Sequence, residues 1–150
     1  MEIQSLKSKD QILVSNSPEK TFQIGEDLGE DLKRGDVVLL SGGLGAGKTL
    51  FTKGVLNALN FDIDEVTSPS FTLVNLYRTD LFDVYHIDLW RIEGSGDARF
   101  AVGLDDILEN EEAVVIIEWA DRLGKFEPER NVIRVMIRGD GDEDREVTIT

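Results

Sequence analysis

Gly42-Gly43-Leu44-Gly45-Ala46-Gly47-Lys48-Thr49 matches the pattern G-x-x-x-x-G-K-[ST], the signature of a loop that wraps nucleotide phosphates. Immediately before it, Val37-Val38-Leu39-Leu40 is a short apolar, β-branched run that reads as a buried strand. After it, Leu50, Val55, Leu56 and Leu59 recur at helical spacing. Strand, glycine loop and helix thus follow in the order that such a site requires. The glycines let successive backbone N–H groups approach phosphate oxygens without Cβ clashes, and the helix start points its positive end at the same anion. Residues 43–49 (Gly43, Leu44, Gly45, Ala46, Gly47, Lys48 and Thr49) are the candidate nucleotide-binding set. Lys48 is expected on the β and γ phosphates, and the Thr49 hydroxyl on Mg²⁺.

Composition bounds the rest. At 150 residues, 41% hydrophobic and 31% charged, the chain has the length and balance of one globular domain, residues 1–150. No stretch approaches the ~20 apolar residues that span a bilayer, and the charged N-terminus lacks a signal-peptide core, so no membrane association and a cytoplasmic location are expected. With no cysteine, disulfides, thiolate metal sites and cysteine nucleophiles are excluded together, and one histidine excludes a multi-histidine metal site. The formal charge of −14 repels polyphosphate, so any nucleic acid is expected to be held by a partner.

Outward from the loop, residues 11–15 read as a first strand and 18–32 as a helix with Phe22, Ile24, Leu28 and Leu32 on its apolar face, stopped by Lys33-Arg34-Gly35. Residues 71–77 and 84–89 read as strands joined too closely for a helical crossover, hence a hairpin. Helical fragments are expected at 98–102 and 104–108 around the punctuation Gly94-Ser95-Gly96. Residues 113–117 are apolar throughout and read as a strand buried on both faces, while 131–137 and 146–150 form a closing hairpin.

In α/β sheets, ligands bind beyond the carboxyl ends of the strands. Glu118 ends the apolar run of 113–117, where a carboxylate can hold a Mg²⁺ shell. Asp88 ends the strand Val84-Tyr85-His86-Ile87-Asp88, on the same face as Val84 and His86; it could serve the metal shell, position water, or pair with Arg91. His86 reads as a hydrogen-bonded core residue. Ser68, Ser70 and Thr72 read either as a nucleotide-sensing segment or as turn chemistry around Pro69.

The motifs at 42–49, Thr-Ser-Pro-Ser-Phe-Thr-Leu-Val at 67–74, Tyr-His-Ile-Asp-Leu-Trp-Arg at 85–91 and Ile-Glu-Trp at 117–119 together resemble the bacterial TsaE (YjeE) family, over most of the chain. The resemblance implies a three-layer α/β P-loop NTPase with a central mixed sheet flanked by helices. It implies an ATP site with Lys48 on phosphate, Thr49 and Glu118 at Mg²⁺, and Asp88 needed for hydrolysis, so that Lys48, Asp88 and Glu118 are the catalytic candidates. Residues 67–72 are expected to act as a switch and Thr21 to lie on the adenine side. It further implies slow, partner-dependent ATP hydrolysis that supports threonylcarbamoyl modification of adenosine in tRNA through TsaD and TsaB, which would hold the tRNA. Ser70, Trp90 and Ala120 stand where many members have Thr, Tyr and Pro.

Two other readings share the phosphate loop. A small-molecule kinase usually carries a basic lid, but residues 93–110 offer only Arg99 as a cation. A non-hydrolytic module would use ATP only to hold a conformation for assembly. The Asn-Lys-x-Asp signature of GTP binders is absent from the chain, which favours ATP.

Overall fold

The computed structural model of the chain describes residues 10–43, 45–67, 73–90, 92 and 98–150. The expectations for Leu44, for Ser68, Ser70 and Thr72, for Arg91 and for Gly94-Ser95-Gly96 lie outside the described residues.

Seven strands form one mixed sheet in the order β1-β7-β6-β2-β5-β4-β3, comprising β1 (Gln11–Ser15), β2 (Val37–Gly42), β3 (Val74–Arg78), β4 (Asp83–Asp88), β5 (Val114–Glu118), β6 (Val132–Arg138) and β7 (Arg145–Ile149). The four central strands run parallel, β6-β2-β5-β4, and the edges close with the antiparallel hairpins β3-β4 and β6-β7 and the pair β1-β7. Both expected hairpins are present. β2 sits between two parallel neighbours, so Val37, Val38, Leu39 and Leu40 are buried on both faces, as their uninterrupted apolar run demands.

Helix α1 (Pro18–Asp31) starts where Ser17 caps it, its side chain accepting from Lys20 N at 3.1 Å, with Pro18 at the first helical position. It ends before Lys33, so the expected cations lie just past the last turn rather than in it. Helix α2 (Lys48–Ala58) follows the glycine loop directly. These two helices cover one face of the sheet, over Val38, Leu40, Val84, Val114, Ile116, Ile133 and Val135. They lie unusually close: a Cβ on Gly25 would fall 2.2 Å from Phe51 O, and one on Gly54 would fall 2.1 Å from Phe22 O. Only hydrogen fits at those positions.

Short helices α3 (Ala98–Ala101) and α4 (Leu104–Leu108), with the 3₁₀ turn Ala120–Leu123, cover the opposite face over Val37, Leu39, Ile87, Val115 and Ile117. The three layers are complete, and every strand-end residue named below faces the α1/α2 side.

Candidate functional site

Parallel pairing sets the site. β5 is in register with both β2 and β4, with Leu40 opposite Glu118 and Asp88 opposite Glu118. The carboxyl ends of three adjacent strands therefore bring the glycine loop, Glu118 and Asp88 to one edge, with neighbouring strands about 4.8 Å apart. Glu118 is 3% and Asp88 4% exposed. Asp88 Oδ1 accepts a hydrogen bond from Trp90 N at 2.9 Å, which orients the carboxyl at the strand end.

The loop itself is shaped for an anion. Gly47 holds φ of 111° at the start of α2, a conformation that L side chains avoid, and no side chain caps the helix there. The first amides of α2 thus remain available for an anion. Lys48 heads the helix, and its Nζ donates to the carbonyls of Gly42 at 2.8 Å and Gly43 at 2.9 Å. Burial lowers the Lys48 pKa from its ordinary 10.5, while the charges of Glu118 and, to a lesser degree, Asp88 oppose that shift. The ammonium also lies 4.9 Å from the Trp119 ring centre. Trp119 adopts φ of 58°, a left-handed conformation that costs a bulky residue about 1–3 kcal/mol, and it sets the indole across Lys48. Trp90 packs on Trp119 with ring centres 4.5 Å apart, and the Arg122 guanidinium sits 5.7 Å from each ring.

Beside the loop lies a pocket of about 340 Å³, walled by Ser17, Pro18 and Thr21 of the α1 start, by Gly45 and Ala46, and by residues 141–143 and Arg145 of the last hairpin. Thr21 is 3% exposed, with Oγ1 2.7 Å from Ser15 Oγ. Its methyl group would lie 3.4 Å from a Cβ on Gly47, so the fold brings Thr21 against the phosphate loop.

Arg145 was no candidate from the sequence. Its Nε donates to Ala46 O at 3.1 Å, its Nη2 to Gly45 O at 3.3 Å and Gly141 O at 3.0 Å, and its Nη1 to Glu143 O. One side chain thereby ties the glycine loop to the turn of the last hairpin. No local pattern announces this, because the partners lie up to 100 residues away. His86 is fully buried, as a core histidine should be, but its Nε2 lies 2.5 Å from Glu118 Oε2.

These groups fit a nucleotide with a hard divalent cation. Among the described residues, no three His, Cys, Asp or Glu side chains form an all-protein metal cage. Mg²⁺ characteristically takes one or two protein ligands together with phosphate oxygens and water, a set to which Thr49 at the helix start and a buried strand-end carboxylate could contribute.

The sequence matches the family described as "Threonylcarbamoyl adenosine biosynthesis protein TsaE" over residues 15–147. It is 36% identical to a tRNA threonylcarbamoyladenosine biosynthesis protein TsaE from Bacillus subtilis, covering 89% of this chain and 81% of that protein. It is 37% identical to the protein of the same description from Treponema pallidum, covering 91% and 97%. The crystal structure of YdiB from Bacillus subtilis superposes with a TM-score of 0.72 at 31% identity, covering 94% of this chain and 84% of that one.

Proposed function

This chain belongs to the TsaE family of the tRNA threonylcarbamoyladenosine pathway, and from that premise we propose that it is a Mg²⁺-dependent ATPase that supports the modification through a TsaD–TsaB pair. The observation that carries the reading is Lys48, buried at the head of α2 and within electrostatic reach of the strand-end carboxylates Glu118 and Asp88.

The loop amides and Lys48 bind the triphosphate and balance its charge. Thr49 and Glu118 would hold Mg²⁺, which when bound would supply positive charge to offset that of the phosphate oxygens. Asp88, rigidly hydrogen-bonded at its strand end, orients the water that attacks. The pocket walled by Pro18 and Thr21 takes the adenine. The Trp119 ring, 4.9 Å from the Lys48 ammonium, gives it an apolar neighbour, which strengthens its pairing with phosphate. The charge of −14 suits a subunit that leaves tRNA to its partners.

The test is ATP hydrolysis by the purified chain, alone and with TsaD and TsaB, with tRNA threonylcarbamoylation followed in the same tubes. Slow hydrolysis alone, and hydrolysis that sustains repeated modification with the partners, is the expected result. ATP left intact after prolonged incubation with the partners would replace this reading with that of a non-hydrolytic binding module, and a phosphorylated metabolite would replace it with a kinase.

A further inference from the structure

His86 stands on β4 between Ile116 of β5 and Asn75 of β3, on the face that also carries Val84, and it is fully buried. An imidazole buried there without a partner would be costly. Its partner is the Glu118 carboxylate, Nε2 to Oε2 at 2.5 Å across a separation of 32 residues. A carboxylate oxygen only accepts, so in this contact Nε2–H is the donor.

On its other side the imidazole meets Tyr77, whose hydroxyl lies 3.5 Å from Nδ1. That contact is at the outer limit of a hydrogen bond and acts mainly as a wall. The wall is itself fixed, because the Tyr77 hydroxyl donates to Thr67 O at 3.0 Å and accepts from Asn75 Nδ2 at 3.2 Å. Glu118 has three side-chain torsions to restrain, and a ligand that wanders among rotamers binds a cation poorly.

We infer that His86 is a positioning residue for Glu118: its Nε2–H holds one carboxylate oxygen while Tyr77, anchored by Thr67 and Asn75, holds the imidazole, so that Glu118 meets the cation in one orientation. The inference rests on the reading of Glu118 as a carboxylate of the Mg²⁺ shell. Histidine ligands are commonly oriented by carboxylates, and here the same physics runs in the opposite direction.

The experiment measures binding of adenylyl imidodiphosphate, a non-hydrolysable ATP analogue, by calorimetry in Mg²⁺ and in EDTA. Its readout is the factor by which Mg²⁺ tightens binding. His86→Met fills a similar volume without a donor and should lose about tenfold or more of that factor with EDTA binding unchanged. His86→Gln, whose amide nitrogen can reach Glu118, should retain most of it. His86→Asn, whose amide stops short of Glu118, should behave as His86→Met and substitutes for it if that variant does not fold. Full Mg²⁺ tightening in the donor-less variant, or equal loss in the Gln variant, would overturn the positioning role. Glu118→Ala separates the two readings: if it keeps the tightening, the Mg²⁺ assignment of Glu118 itself fails, whereas loss in Glu118→Ala with none in His86→Met removes only His86.

Discussion

Gly54→Ala tests the packing that seats the phosphate loop. In isolation the change should help, because Ala is favoured over Gly in a helix interior by about 1 kcal/mol. In the fold, however, the new Cβ would sit 2.1 Å from Phe22 O and 3.0 Å from Glu26 N and Phe22 C. Carbon contacts are comfortable at about 3.5–4.0 Å, so α1 and α2 must part by roughly 1.5 Å. Parting them loosens Ile24 and Leu28 against Phe51 and Val55, all 2% exposed or less. The obstacle is backbone and cannot rotate aside, so the overpacking cost belongs near the upper end of the usual range, about 3 kcal/mol. The net loss is then about 2 kcal/mol. For a chain of this size it lowers the melting temperature by about 4–8 °C, measurable by circular dichroism in paired melts. Gly25→Ala, facing Phe51 O at 2.2 Å, strains the same interface. The double variant should therefore lose less than the sum of the two. An unchanged or raised melting point for Gly54→Ala would refute the reasoning.

Three further outcomes follow from the site. Lys48→Ala should weaken nucleotide binding about tenfold or more by calorimetry, since it removes the one cation at the head of α2; affinity within twofold of the parent protein contradicts its role. Glu118→Ala should leave binding in EDTA intact and reduce Mg²⁺-dependent turnover by at least about tenfold in a phosphate-release assay, and normal turnover would remove it from the metal shell. Arg145→Ala should free the glycine loop from the last hairpin and weaken nucleotide binding by about tenfold, with Arg145→Lys no better, because a single ammonium cannot span Gly45, Ala46 and Gly141 carbonyls together. Full affinity in Arg145→Lys would show that charge alone suffices there.

The elements that sequence makes legible are those whose cause is local. The apolar run of β2, the glycines of the loop, the Ser17-Pro18 start of α1 and the alternation along β4 each act within a few residues, and the structure has them where they were expected. Glu118 and Asp88 were found the same way, as polar groups ending apolar strands. Gly25 and Gly54 are the opposite case: within a helical segment a glycine reads as a weak point, and its purpose appears only when another backbone lies 2.1–2.2 Å from the missing Cβ. Trp119 likewise gives no sequence sign of its left-handed backbone, with which the chain leaves β5 and the indole lies over Lys48.

By itself, then, the sequence determined the chemical inventory and its local frames: a phosphate loop between strand and helix, a lysine, a threonine and two strand-end carboxylates. Tertiary structure alone decided which of these meet. Parallel register sets Asp88 beside Glu118, the fold brings His86 to Glu118 across 32 residues, and Arg145 reaches Ala46 across 99. The reason is physical. Propensity, capping and periodicity act over one or two turns of chain, whereas strand order and helix contact are settled by how the whole apolar surface is buried at once.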